Sequence, residues 1–284
     1  MFWRFWRRDK TVIPVIRLSG VIGASGSPLR RGISFESVDP LLKKAFTMNR
    51  AKAVALVINS PGGSPVQSAL IGARIRQLSD KHELPVLAFC EDVAASGGYW
   101  LAAAANEIYA NSASIIGSIG VVSAGFGFPE AIAKLGIERR VYTSGKSKSM
   151  LDPFSAEKTE DVAHLKALQA EIHEQFIAYV ESRRGGKLDS DRELLFSGAF
   201  WTGERALGLG LVDQVGDMYS VLRARFGEKL HLANISPKKR ILSFNGAQSK
   251  LGDATLLGGS LSQGLATALI DTAEERSHWA RFGL

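Results

Sequence analysis

The chain has 284 residues, of which 45% are hydrophobic, 22% charged and 8% aromatic, a globular composition that excludes collagen-like, coiled-coil and wholly disordered proteins. A single cysteine, Cys90, excludes a disulfide framework and a cysteine-rich zinc site. The 35 basic residues exceed the 28 acidic ones by seven, and no basic stripe interleaved with aromatics occurs beyond the first ten residues, so nucleic acid is not an expected partner.

Residues 1–10, MFWRFWRRDK, hold four basic residues and one acid, together with Phe2, Trp3, Phe5 and Trp6. Rings alternating with guanidinium groups suit an anionic membrane interface; the same composition suits an ordinary chain terminus. Ten residues cannot span a bilayer, and no apolar core with a small-residue cleavage site follows, so the segment does not read as a signal peptide. The expected location is cytoplasmic, with a possible peripheral contact on the inner membrane face.

Val12–Leu18 reads as an opening strand. Ala53–Ile58 is continuously apolar and ends at Asn59-Ser60-Pro61-Gly62-Gly63, the pattern of a fully buried parallel strand. Ser64–Leu78 has helical spacing, Pro85–Cys90 is the next buried strand, and Gly98–Ala105 starts a short helix. Cys90, inside that apolar run, reads as a buried structural thiol. Glu107–Ala110 and Ile115–Val122 are two further strands, Pro129–Leu135 a helix and Arg139–Thr143 a strand. Residues 108–129 are 22 uncharged positions, yet four serines, four glycines, Asn111 and Pro129 among them read as strands and turns within a soluble protein. The alternation of strand and helix predicts an α/β fold with a mainly parallel sheet.

Residues 156–184 form the longest predicted helix, with Ser155 as its N-cap and Gly185-Gly186 at its end. Its apolar stripe of Val162, Leu165, Leu168, Ile172, Phe176, Ile177 and Val180 is expected to pack on the chain's own core. His164 and His173 lie nine apart on it, not the four of a helical metal pair, and the other histidines, His82, His231 and His278, are scattered, so no metal is expected. Residues 243–264 are rich in Gly, Ser, Asn and Gln, a linker composition, before an amphipathic helix over 261–282. The chain thus divides into a segment 1–10, one domain over 11–242, and a linker with a terminal helix over 243–284.

Two glycine pairs, Gly62-Gly63 and Gly97-Gly98, each follow a buried strand, where backbone N–H groups can converge on one point at the sheet's carboxyl edge. Ser96 lies at a strand-to-helix junction among small neighbours, where its hydroxyl either caps the helix or stands exposed for chemistry. Three other patterns are set aside. Gly145-Lys146-Ser147 lacks the first glycine of a phosphate loop, Ser155-x-x-Lys158 has no companion motifs, and no Gly-x-Ser-x-Gly surrounds Ser96.

Five motifs occur in one order: Ser-Pro-Gly-Gly (60–63), Ala-Ala-Ser-Gly-Gly-Tyr (94–99), Ile-Ile-Gly-Ser-Ile-Gly-Val (115–121), Ser-Gly-x-x-Lys (144–148), and Trp-Thr-Gly-Glu-Arg-Ala-Leu-Gly-Leu-Gly-Leu-Val-Asp-Gln-Val-Gly (201–216). Together, over residues 11–225, they closely resemble the S49 family of serine peptidases, the signal peptide peptidase A (protease IV) family, in its short single-copy form. The Ala-Leu-Gly-Leu-Gly-Leu-Val-Asp piece of the last motif (206–213) is by itself similar to a stretch of the wider Clp-protease and crotonase superfamily. The resemblance implies a β/α spiral with helical oligomerisation elements. It implies Ser96 as nucleophile, Lys148 as general base, Ser118 orienting the lysine, and Gly63 and Gly97 donating to an oxyanion. It further implies peptide or protein substrates such as cleaved signal peptides, no cofactor, and a homo-oligomeric ring whose sites are shared between protomers.

Serine is inert until a base takes its proton, and a lysine acts as that base only when neutral. Lowering a lysine from about 10.4 to about 7–8 needs roughly 3–5 kcal/mol, which burial at an interface supplies. Lys146 competes with Lys148 on composition. An extended peptide is expected to lie against strand edges near 64–66 and 119–123. Two other classes share these features: a crotonase-type acyl-CoA enzyme, with Glu91 and Asp92 as its nearest carboxylates, and a non-catalytic membrane-associated scaffold anchored by residues 1–10.

Overall fold

The computed structural model describes residues 11–23, 32–189, 191–237 and 276–284. The segment 1–10 and the linker 243–264 lie outside these, as does most of the helix expected over 261–282, of which residues 276–280 are helical.

The chain begins β1 (Val12–Ser19), α1 (Phe35–Phe46), β2 (Val54–Ser60), α2 (Pro65–His82), β3 (Val86–Ala95), α3 (Gly97–Ala103). The three strands are parallel neighbours, paired Val15 to Ala55 and Val54 to Val86. They are apolar on both faces because both are covered. Ile13, Val15, Val57, Leu87 and Phe89 face one apolar cluster, while Ile16, Leu18, Leu56, Ala88 and Cys90 face the larger one under α1, α2 and α3. Alternation of side chains along each strand makes this division. Pro65 sits in the first turn of α2, and the Ser64 hydroxyl caps it by accepting from the Gln67 N–H at 3.4 Å.

Next come β4 (Glu107–Ala110), β5 (Ile115–Gly117), α4 (Pro129–Lys134) and α5 (Thr159–Arg184). The long β3 divides its outer edge: Leu87–Cys90 pairs with β4, and Val93–Ala95 pairs with β5. After α6 (Arg192–Leu195), β6 (Phe200–Thr202) joins β5 antiparallel, the one antiparallel pairing among the described strands. Then α7 (Gly203–Gly208), β7 (Gln214–Val215) beside β4, α8 (Met218–Phe226) and β8 (His231–Ile235) beyond β1 complete a mixed eight-stranded sheet. This is an α/β fold.

The 201–216 motif serves as scaffold. Leu211 O accepts from the buried Tyr99 hydroxyl at 2.8 Å, which ties α3 in place. Asp213 accepts from Arg184 Nη1 at 2.7 Å, Lys187 Nζ at 2.6 Å and the Ile108 N–H at 2.7 Å, joining α5 to β4.

Three expectations are corrected. The stripe on α5 is buried at Phe176, Ile177 and Val180, where Trp100 stacks on Phe176 and Tyr179 with ring centroids 4.7 Å away in both cases; Leu168 is exposed. The amino-terminal half of α5 has no buried side chain, and it follows a projecting segment, residues 121–158, in which nearly every side chain is exposed, Phe126 at 82% and Tyr142 at 91%. Arg139–Thr143 lies in this projection and forms no strand: Val141 and Tyr142 are exposed, and no described strand pairs with it. Ser155 does not cap α5: the helix starts at Thr159 after Lys158, and Ser155 Oγ donates to Asp152 at 3.2 Å.

The expected location is also withdrawn. Among the described residues no helix is long and apolar enough to cross a membrane, and the segment invoked for a contact on the inner membrane face lies outside them.

Candidate active site

Ser96 is the turn between β3 and α3. Its backbone has φ 52° and ψ −123°, a strained left-handed conformation for a residue with a side chain. The turn is held from both sides: the Ser96 N–H donates to Gly117 O at 2.8 Å, and Ser96 O accepts from the Trp100 N–H at 3.0 Å. Ser96 occupies the N-cap position of α3, yet its side chain makes no capping hydrogen bond. A simple cap therefore does not account for it. A sharp strand-to-helix turn that presents a serine hydroxyl arises here without the Gly-x-Ser-x-Gly sequence.

The glycines surround this turn for reasons of space and aim. Gly63 forms a parallel bridge with Ile22: the Ile22 N–H donates to Gly62 O and the Ser64 N–H to Ile22 O, both at 2.7 Å. In such a bridge the middle residue's own N–H faces away from its partner strand. A Cβ on Gly63, at φ 141°, would lie 2.0 Å from Ile22 O. Gly97 is equally confined, since a Cβ there would lie 2.4 Å from Ser68 Oγ and 3.4 Å from Gly63 N. Among the described residues neither the Gly63 nor the Gly97 N–H has an acceptor. Two close, uncommitted donors beside a serine hydroxyl are what a developing oxyanion requires.

The register of β3 and β5, Ala95 opposite Gly117, brings Ser118 alongside Ser96. Ser118 is buried, has φ 54°, and its N–H donates to Ala199 O at 2.7 Å. Ser96, Gly63, Ser118, Gly120, Val122 and His173 all line one cavity of about 470 Å³. Lys148 does not. It is exposed in the projecting segment, with its N–H donating to Gly145 O at 3.3 Å, and Lys146 beside it is exposed as well. Within one chain, then, the serines and glycines of the predicted site come together and the lysine stays apart.

Residue patterns alone did not single out His173. It occupies a position on the buried face of α5 that spacing cannot distinguish from an apolar one. Glu91 and Asp92 are engaged elsewhere: Glu91 forms a bidentate pair with Arg17, one contact being 2.8 Å, and Asp92 accepts from Asn59 at 2.7 Å. Both border a separate cavity of about 520 Å³ with Val57 and Phe89, on the opposite face of the sheet from α3. They therefore offer no carboxylate chemistry at Ser96. Cys90 is buried, and burial pushes its thiol up to about 12. Among the described residues no group of His, Cys, Asp or Glu could hold a metal ion.

An α/β scaffold with a strained serine turn beside two uncommitted backbone donors is an arrangement compatible with acyl-transfer chemistry. The comparisons narrow the class: the model of peptidase family S49 matches residues 79–229, and the chain belongs to that family. It is 32% identical over 260 residues to a Synechocystis protein provisionally named a protease, covering 88% of this chain and 89% of that one. It is 32% identical over 206 residues to Protease 4 of Haemophilus influenzae, covering 72% of this chain and 32% of the other. It is also 50% identical over 281 residues, 99% of this chain, to a Brucella melitensis protein named Na+/H+ antiporter NhaA. This chain spans 38% of that protein's length.

Proposed function

We propose that the chain is a serine endopeptidase with a Ser96–Lys148 dyad, acting on unstructured or apolar peptides such as cleaved signal peptides. The observation that carries this reading is the Ser96 turn, strained and not capping, beside the free N–H groups of Gly63 and Gly97. Ser96 Oγ attacks the scissile carbonyl carbon while the neutral Lys148 amine takes its proton. The tetrahedral oxyanion accepts from Gly63 and Gly97. Collapse expels the leaving amine, which receives the lysine's proton, and leaves an acyl ester on Ser96. Lys148 then deprotonates a water that attacks the ester, and the proton returns to Ser96 as the acid product departs. Ser118 orients the amine.

The lysine is supplied by a neighbouring copy. Lys148 stands outside its own chain's cavity, on a projecting segment whose Phe126, Leu135 and Tyr142 are exposed. Large apolar side chains in such an arrangement favour burial against another protein surface. We read the fold as the β/α spiral of the Clp-protease and crotonase superfamily, assembled into a ring by these projections.

A fluorophosphonate probe and a fluorogenic peptide test this reading. The parent is expected to be labelled at Ser96 and to cleave the peptide, and Ser96→Ala and Lys148→Ala are each expected to be inactive. Co-refolded mixtures of the two variants regain activity if sites are shared. Peptide cleavage by either variant alone at the parent's rate would sink the dyad, and verified mixed assemblies without activity would sink the sharing.

A further inference from the structure

The segment from Ser118 to Val122 meets α5 through one polar contact. His173 Nε2 lies 3.0 Å from Ile119 O. A carbonyl oxygen only accepts, so Nε2 carries a proton and donates. His173 is half-buried and lies one turn before Phe176 and Ile177, on the face by which α5 packs against α3. The ring is thus carried by a helix whose position is fixed by aromatic stacking.

The consequence lies on the other side of the peptide. A trans peptide is planar, with its C=O and N–H pointing in opposite directions. Anchoring Ile119 O to α5 therefore turns the Gly120 N–H away from α5. Among the described residues that N–H has no acceptor. Gly120, Val121 and Val122 line the Ser96 cavity with His173. Gly198, between α6 and β6, packs close to this position, since a Cβ on Gly120 would lie 3.1 Å from Gly198 Cα.

We infer that His173 is a positioning residue: it fixes the Ile119–Gly120 peptide so that the Gly120 N–H is offered to the main-chain carbonyl of an extended peptide bound beside Ser96. This rests on the reading of Ser96 as nucleophile and adds a determinant of peptide binding to it. A main-chain donor selects for extended backbone rather than for any one side chain.

The test compares His173→Leu with His173→Gln, whose carboxamide N–H can donate to the same carbonyl. Fluorophosphonate labelling reads the reactivity of Ser96 alone, because the small probe does not use the strand edge. Cleavage of an extended fluorogenic peptide reads both. His173→Leu is expected to lower kcat/KM about tenfold, mainly through KM, as befits one main-chain hydrogen bond, with labelling within about twofold of the parent. His173→Gln is expected to stay within about threefold of the parent. An unchanged KM in His173→Leu overturns the inference, as does a Gln variant as impaired as the Leu variant. Equal losses of labelling and cleavage with a lowered melting temperature indicate a merely structural role and overturn it too. Failure of the parent itself to be labelled strikes the Ser96 reading instead.

Discussion

Gly63→Ala provides a direct test of the oxyanion geometry. The new Cβ would start 2.0 Å from Ile22 O and 2.8 Å from Ile22 N, whereas nonbonded heavy atoms settle about 3.5 Å apart. The two segments must part by more than about 1 Å, which breaks the 2.7 Å bonds from Ile22 N–H to Gly62 O and from Ser64 N–H to Ile22 O. Each such bond contributes about 0.5–1.5 kcal/mol, and the left-handed backbone at φ 141° adds about 1–3 kcal/mol of strain for alanine. The destabilisation is therefore about 2–6 kcal/mol, confined to the turn that aims the Gly63 N–H. A displaced oxyanion donor lowers kcat about 10²- to 10³-fold. Gly125→Ala is the control, since a Cβ there meets nothing within 4 Å. Peptide kcat, with near-ultraviolet circular dichroism to verify folding, provides the readout. A folded Gly63→Ala protein with kcat within about threefold of the parent would refute the assignment of this N–H.

Two further outcomes follow from the scaffold. Burial alone would raise the Asp213 carboxyl, but bonds from Arg184, Lys187 and the Ile108 N–H more than offset it and hold it below its ordinary range. Asp213→Asn leaves the buried Arg184 without its counter-charge, at a cost of about 3–5 kcal/mol in urea unfolding at neutral pH. Because the folded carboxyl is lowered, this stabilisation is complete above the unfolded value of about 3.9 and is lost as pH falls through the folded one. The gap between parent and variant therefore closes in acid, and a gap unchanged from pH 7 to 3 would count against the charge. Cys90, with its thiol pushed up to about 12, is expected to resist a disulfide reagent at pH 8 until the protein unfolds, and Cys90→Ala is expected to keep peptidase activity. Rapid labelling of the native protein would mean that β3 opens.

By itself the sequence determined what depends on neighbours along the chain. The continuous apolar runs Ala53–Ile58 and Pro85–Cys90 read as buried strands, and each is followed by a glycine pair at a turn. The five ordered motifs carried the family. Tertiary structure decided what depends on register and on available partners. Pairing Ala95 with Gly117 sets Ser118 beside Ser96 across 22 residues of chain. Val141 and Tyr142 in Arg139–Thr143 and Leu168 in early α5 are exposed, which no local pattern in the sequence announces. Lys148 shares that exposed projection, and its distance from Ser96 is a property of where the segment points. His173 gained its place only when α5 packed against α3, since a hydrogen bond between residues 54 apart leaves no trace in local spacing. The initial excess of seven positive charges therefore tells less than the uncharged atoms around Ser96, where backbone N–H groups hold the positions that the chemistry needs.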